Sequence, residues 1–137
     1  MKTKIFLNLP VKDLNRSIAF FTQLGFSFNP KFTNEKGTCL VIEENINVML
    51  LVEEFYQTFT DKEICNTATT SEVLISISLE SRDKVDEMIG KVIKARGTEY
   101  TETKDYGWMY QRTFLDIDGH QWEIFFMDES QIPEMSE

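Results

Sequence analysis

Apolar residues recur at every second position at the start of the chain, in Ile5, Leu7, Leu9 and Val11. A period of two predicts a strand. Asp13 follows as a candidate helix cap, with apolar positions Leu14, Ile18, Phe21 and Leu24 on one helical face and Gly25 as the stop. Alternation resumes in FSFNPKF (26–32). Two apolar runs, TCLVIE (38–43) and INVMLLV (46–52), are separated only by Glu44 and Asn45, which predicts a hairpin.

The same order then recurs. EVLISISLE (72–80) reads as a strand, and Ser81 can cap a helix carrying Val85, Met88, Ile89, Val92 and Ile93, with Gly97 as its stop. TEYTETK (98–104) alternates as a polar strand. MYQRTFLDI (109–117) and HQWEIFFM (120–127) predict a hairpin around Asp118-Gly119. Strand–helix–strand–strand–strand therefore occurs twice, in module one at about 4–53 and module two at about 72–127. Residues 54–71 form the connection, and 128–137 are an acidic tail expected to fray. No linker rich in Gly, Ser or Pro separates the modules, so residues 1–137 are expected to form one domain. A sheet covered by a helix on one face leaves its other face free to line a pocket.

Composition narrows the function. Hydrophobic residues make up 42% of the 137, enough for a packed core. The net charge of −9 repels phosphate backbones and anionic lipid, which excludes nucleic acid and membrane surfaces as expected partners. The N-terminal residues lack an apolar signal core, so a cytoplasmic location is expected. Cys39 and Cys65 match no close-spaced zinc or redox pattern. Cys39 lies in an apolar run and is expected to be a small core residue. With a single histidine, His120, no Ser-His-Asp or Cys-His arrangement is credible.

Two segments carry a family resemblance. NLPVKDLNRSIAFFTQLGF near the start and DIDGHQWEIFF near the end resemble the vicinal oxygen chelate superfamily, which includes glyoxalase I, extradiol dioxygenases, and fosfomycin- and bleomycin-resistance proteins. The resemblance covers about residues 4–127. It implies an α+β fold in which two βαβββ modules form a partly open, eight-stranded sheet around a cleft. Metal-dependent members of that superfamily hold one divalent ion there, on ligands from four strands.

Carried over position by position, the resemblance places Phe6, Met49, Leu74 and Glu123 where those ligands would stand. Only Glu123 suits a hard or borderline divalent ion. Asn8 and Ser76 are the nearest polar residues should the register slip, and neither replaces an imidazole. No cofactor is therefore expected. His120 falls at a turn and is expected to make a local hydrogen bond rather than to ligate. Glu123, set in an apolar run, either pairs with a neighbouring Lys or Arg or contacts a ligand.

A further cluster lies in KDYGWMYQRTF (104–114), which holds Tyr106, Trp108, Tyr110 and Arg112 around the turn-forming Gly107. These aromatics can clamp an apolar ligand, and Arg112 can pair with a carboxylate or phosphate. Alternatively they serve core and dimer packing. Phe26, Phe28 and Phe32 stand at strand spacing and are expected to pack in the core or a pocket wall.

The function this implies is a small-molecule binding protein of glyoxalase/bleomycin-resistance type, without a complete metal site and forming a homodimer. Two alternatives stand beside it. One is a metal-dependent lyase or dioxygenase of glyoxalase type, which needs a Lewis acid to polarise its substrate. The other is a metal-free enzyme using Glu123 as general base. Whether the chain catalyses any reaction is left open at this point.

Overall fold

The computed structural model describes residues 2–134. The chain divides between Thr70 and Ser71 into two compact units, each built on one predicted module.

Module one runs β1 (Ile5–Val11), α1 (Leu14–Gln23), β2 (Ser27–Asn34), β3 (Gly37–Glu43) and β4 (Ile46–Val52). The strand order is β1-β4-β3-β2, with β1 parallel to β4 and the other neighbours antiparallel. Asp13 caps α1 as expected, its side chain accepting from the Arg16 backbone N–H at 3.2 Å. Gly25 ends the helix at φ 97°, a conformation side-chain-bearing residues seldom adopt. Leu9, Val11, Phe20, Phe21, Leu24, Leu40, Val48 and Leu50 are buried and form this module's core. Cys39 is buried as expected, its thiol donating to Asn47 Oδ1 at 3.6 Å.

The expected phenylalanine stripe holds only in part. Phe26 packs edge-on against Phe21, and Phe28 is half-buried, but Phe32 is exposed and lies edge-on to the similarly exposed Phe6 at 6.4 Å. The β2–β3 pairing shifts register between Asn29 and Asn34, around Pro30, so the alternation does not carry through the strand.

The connection contains a short helix, α2 (Glu53–Tyr56), and a 3₁₀ turn (Gln57–Phe59). Module two follows with β5 (Leu74–Ser78), α3 (Arg82–Lys94), β6 (Thr98–Glu99), β7 (Lys104–Asp105), β8 (Met109–Leu115) and β9 (Gln121–Met127). The order β5-β9-β8-β6, with β7 also on β8, repeats module one's topology, including the parallel pairing of its first and last strands. Ser81 caps α3 by accepting from the Lys84 N–H at 3.1 Å. Val85, Ile89 and Val92 bury against Phe114, Trp122 and Ile124. Phe114 and Trp122 stack with centroids 6.1 Å apart. Two βαβββ modules with open sheets of four and five strands thus make an α+β fold.

Three details differ from expectation. The polar strand at 98–104 is two short strands, because Thr101 takes φ 64° and the edge carries five steps between Glu99 and Lys104 where β8 has three between Gln111 and Phe114. The left-handed residue ending α3 is Arg96, at φ 72°, rather than Gly97, and Ile93 faces outward at the helix end. In the tail, Glu129–Gln131 form a 3₁₀ turn capped by Asp128 where fraying was expected; residues 135–137 lie outside the described residues. No helix among the described residues is long and apolar enough to cross a membrane.

Candidate functional site

Module two's sheet has two unlike faces. Tyr110, Arg112 and Phe114 on β8 stand beside Phe126, Ile124 and Trp122 on β9, on the side packed against α3. Met109, Gln111, Thr113 and Leu115 stand beside Met127, Phe125, Glu123 and Gln121 on the opposite side, where β5 adds Leu74, Ser76 and Ser78. Among the described residues of the module, α3 is the helix packed on the sheet, and it lies on the first face.

Glu123 lies near its centre. It is half-buried, directly across from Thr113 on one neighbouring strand and Ser76 on the other. Ser76 Oγ donates to Glu123 Oε1 at 2.6 Å, a short bond of the charge-assisted kind. The partner of Glu123 is therefore a neutral hydroxyl rather than the Lys or Arg considered from sequence. Its only sequence signal is the polar alternation of Ser76 and Ser78 in LISIS. Leu74 occupies the same face one pleat earlier, beside Gln121, and is exposed. In module one the equivalent register sets Asn8 beside Met49 and Phe6 beside Asn47, on the face holding Cys39 and Val41.

The 106–112 segment does not come together with Glu123 as a unit. Tyr110 and Arg112 are on the α3 side. Arg112 pairs with both oxygens of Glu99, through Nε and Nη2 at 2.8 Å each, and with Asp86 through Nη1 at 2.9 Å. Tyr110 donates its hydroxyl to the same Asp86 oxygen at 2.6 Å. The Glu99 pairing holds the Arg112 guanidinium further into its charged form than usual, and the Tyr110 bond pulls the Asp86 carboxyl below its ordinary range. Arg82 forms a second fork, to both oxygens of Asp105 at 2.7 and 2.8 Å and to the Gly107 carbonyl, while stacking over Tyr110. These contacts brace the hairpin tip Tyr106-Gly107-Trp108, where Gly107 takes φ 81°. Tyr106 is exposed there and stacks on half-buried Trp108, with centroids 6.5 Å apart.

His120 is buried in the β8–β9 connection, and its surroundings explain why that connection is longer than a two-residue hairpin turn. The Asp116 carboxylate accepts from the backbone N–H groups of Asp118 and His120 at 2.9 and 3.0 Å, and from the Trp122 indole N–H at 3.0 Å. This draws 116–120 out of the ladder, with Gly119 at φ 85°. Burial raises the Asp116 carboxyl above its usual range, and the nearby His120 and the bonds from Trp122 and the His120 N–H offset part of that rise.

The positions that the resemblance gives to metal ligands are poor in donor atoms. Phe6 and Leu74 carry no donor atom, Met49 offers only a thioether, and the described residues contain no group of three or more His, Cys, Asp or Glu able to hold a metal. An open hollow of about 560 Å³ in module one, between the start of α1 and the β2–β3 turn, includes none of the residues proposed from sequence to bind a ligand or metal.

Residues 3–43 match the family model described as bleomycin resistance protein-like N-terminal. No curated protein matches the chain in sequence. Among solved structures, a hypothetical protein from S. aureus is 27% identical, with 92% of this chain and 95% of that one covered at a TM-score of 0.78. A glyoxalase/bleomycin resistance protein/dioxygenase family enzyme from Burkholderia phytofirmans PsJN is 17% identical, with 89% and 96% covered and a TM-score of 0.74. A genomically encoded fosfomycin resistance protein, FosX, from Listeria monocytogenes is 16% identical, with 92% and 93% covered and a TM-score of 0.65. The N-terminal family match and the fold shared along the chain bear out the resemblance to the vicinal oxygen chelate superfamily, of the glyoxalase/bleomycin-resistance type.

Proposed function

We propose that this chain is a small-molecule binding protein of glyoxalase/bleomycin-resistance type that works without a bound metal ion, using the uncovered face of module two's sheet. One observation carries the reading. That face presents a carboxylate, Glu123, bonded by Ser76 and flanked by Thr113, on a surface shared with Leu74, Phe125 and Met127, while three of the four positions that the resemblance gives to metal ligands hold Phe6, Met49 and Leu74. Small-molecule sites combine apolar surface with fixed polar groups, and this face offers both, with five apolar side chains beside six polar ones. The names of the structural neighbours, which include resistance proteins as well as a family enzyme, support the class without naming a ligand.

Elemental analysis of protein purified without chelator is expected to show far less than one divalent ion per chain, unchanged by Glu123→Gln. About one equivalent of zinc, nickel, iron or manganese, lost in that variant, would overturn the reading in favour of a metal-dependent enzyme.

The reading includes a homodimer. The strand orders end on β1 and β2 in one sheet and on β5 in the other, and open sheet edges are ordinarily covered by further chain or a second copy. Sedimentation is expected to give twice the chain mass of 16.0 kDa; a single 16.0 kDa species at micromolar concentration would count against it.

A further inference from the structure

We infer that the group recognised at Glu123 is a protonated primary amine carried on an apolar or aromatic body, rather than an anion. The inference rests on the proposed binding face and specifies the chemistry it accepts.

The first reason is the placement of charge. On β5, β8 and β9, Glu123 is the only ionisable acid or base on the uncovered face. Among the described strand residues of module two, the one cation on that side is Lys104, on edge strand β7 across from Gln111, two strands away from Glu123 and out of its reach. The arginines that could attract an anion are committed elsewhere: Arg112 lies on the opposite face between Glu99 and Asp86, and Arg82 is forked to Asp105. A net charge of −9 adds a field that draws cations and repels anions at longer range.

The second reason is hydrogen-bond geometry. Ser76 spends its single hydroxyl proton on Glu123 Oε1, which leaves the Ser76 oxygen as an acceptor. Among the described residues Ser76 is the one hydrogen-bond partner of Glu123, so Oε2 is also available to accept. Two acceptors side by side suit a group with at least two N–H donors. An ammonium fits, whereas a carboxylate or phosphate meets only repulsion and lone pairs. A quaternary ammonium has the charge but no N–H to place between them.

The third reason is the surroundings. Phe125 stands two residues along the same strand and face, about 7 Å from Glu123. Its ring can take the flank of a cation or an aromatic body. Met127 and Met109, paired across β8 and β9, add adaptable apolar surface beyond it.

Four probes sharing one ring system test this: 2-naphthylmethylamine, its N,N,N-trimethyl derivative, 2-naphthylmethanol and 2-naphthoate. Each is titrated into the full-length protein and followed by calorimetry and by backbone amide resonances. The primary amine is expected to bind at least about tenfold more tightly than the alcohol or the naphthoate, the scale of one charge-assisted hydrogen bond. It should shift the resonances of Ser76, Glu123 and Phe125. Glu123→Gln, which retains an acceptor for Ser76, should bring the amine down to the alcohol's affinity. Ser76→Ala should weaken the primary amine but not the trimethyl probe. Glu123→Lys should reverse the order and favour naphthoate, an outcome that loss of folding cannot imitate. If all four probes shift those resonances with equal affinity, or Glu123→Gln leaves amine affinity unchanged, the amine inference is overturned while the binding face stands. If none of the probes perturbs Ser76, Glu123 or Phe125, the binding face and the inference fall together.

Discussion

Asp116→Ala is expected to lower the free energy of unfolding by about 3–5 kcal/mol, measured by urea denaturation at neutral pH. The carboxylate is buried and accepts three N–H groups, from Asp118, His120 and the fully buried indole of Trp122. Alanine removes all three acceptors at once. A buried donor left without a partner costs about 1–3 kcal/mol, and the sum stays below three full penalties because Asp118 is only half-buried. In a Trp122→Phe background one of those donors is already gone, so the added cost of Asp116→Ala should shrink by about 1–2 kcal/mol. Equal costs in both backgrounds would show that the indole bond contributes nothing.

The same residue gives a pH dependence of definite sign. Because burial raises the Asp116 carboxyl, the native chain binds its proton more tightly than the unfolded chain does. That contribution is fully present below the ordinary carboxylate range near pH 4 and is lost as pH rises through the raised value. Asp116→Asn cannot titrate there. The stability difference between wild type and this variant should therefore narrow as pH increases across that interval. A gap that widens instead would mean that the three hydrogen bonds outweigh burial.

Arg112→Ala is expected to cost about 2–3 kcal/mol of stability and to leave the preference among ligands unchanged. Breaking a fully buried ion pair costs roughly 3–5 kcal/mol, and the figure is reduced here because the Arg112 and Glu99 side chains are 21% and 28% exposed. Arg112 ties β8 to β6 through Glu99 and to α3 through Asp86, so its loss leaves two carboxylates facing a gap at the helix–sheet seam. Arg112→Lys should recover only part of the loss, because an ammonium cannot match the two-point pairing with Glu99. Denaturation curves read the first effect. Titration of folded Arg112→Ala with 2-naphthoate reads the second, and a selective loss of naphthoate affinity would return Arg112 to the role of anion partner considered from sequence.

What the chain order alone determined is local. Asp13 and Ser81 cap their helices because the acceptor and the N–H it serves are three residues apart. The strand–helix–strand–strand–strand repeat was legible for a related reason: covering one sheet face with a helix imposes a period of two on strands and of about 3.6 on the helix, whatever the distant neighbours are. Glu123 could be singled out because a carboxylate in an apolar run breaks that pattern.

Tertiary structure decided which side chains meet. Ser76 reaches Glu123 across 47 positions of sequence, and Arg112 finds Asp86 and Glu99 on two separate elements. Such pairs depend on strand register and on which face a side chain takes, and a shift of one residue exchanges the faces. Tyr106, Trp108, Tyr110 and Arg112 looked like one cluster because they are close in sequence. Pleating sends Tyr110 and Arg112 to the helix side of the sheet and Glu123 to the other. The broken edge strand at Thr101 has the same origin: pairing with β8 fixes the chain on both sides, and the backbone between takes a conformation that local preference alone would give to glycine.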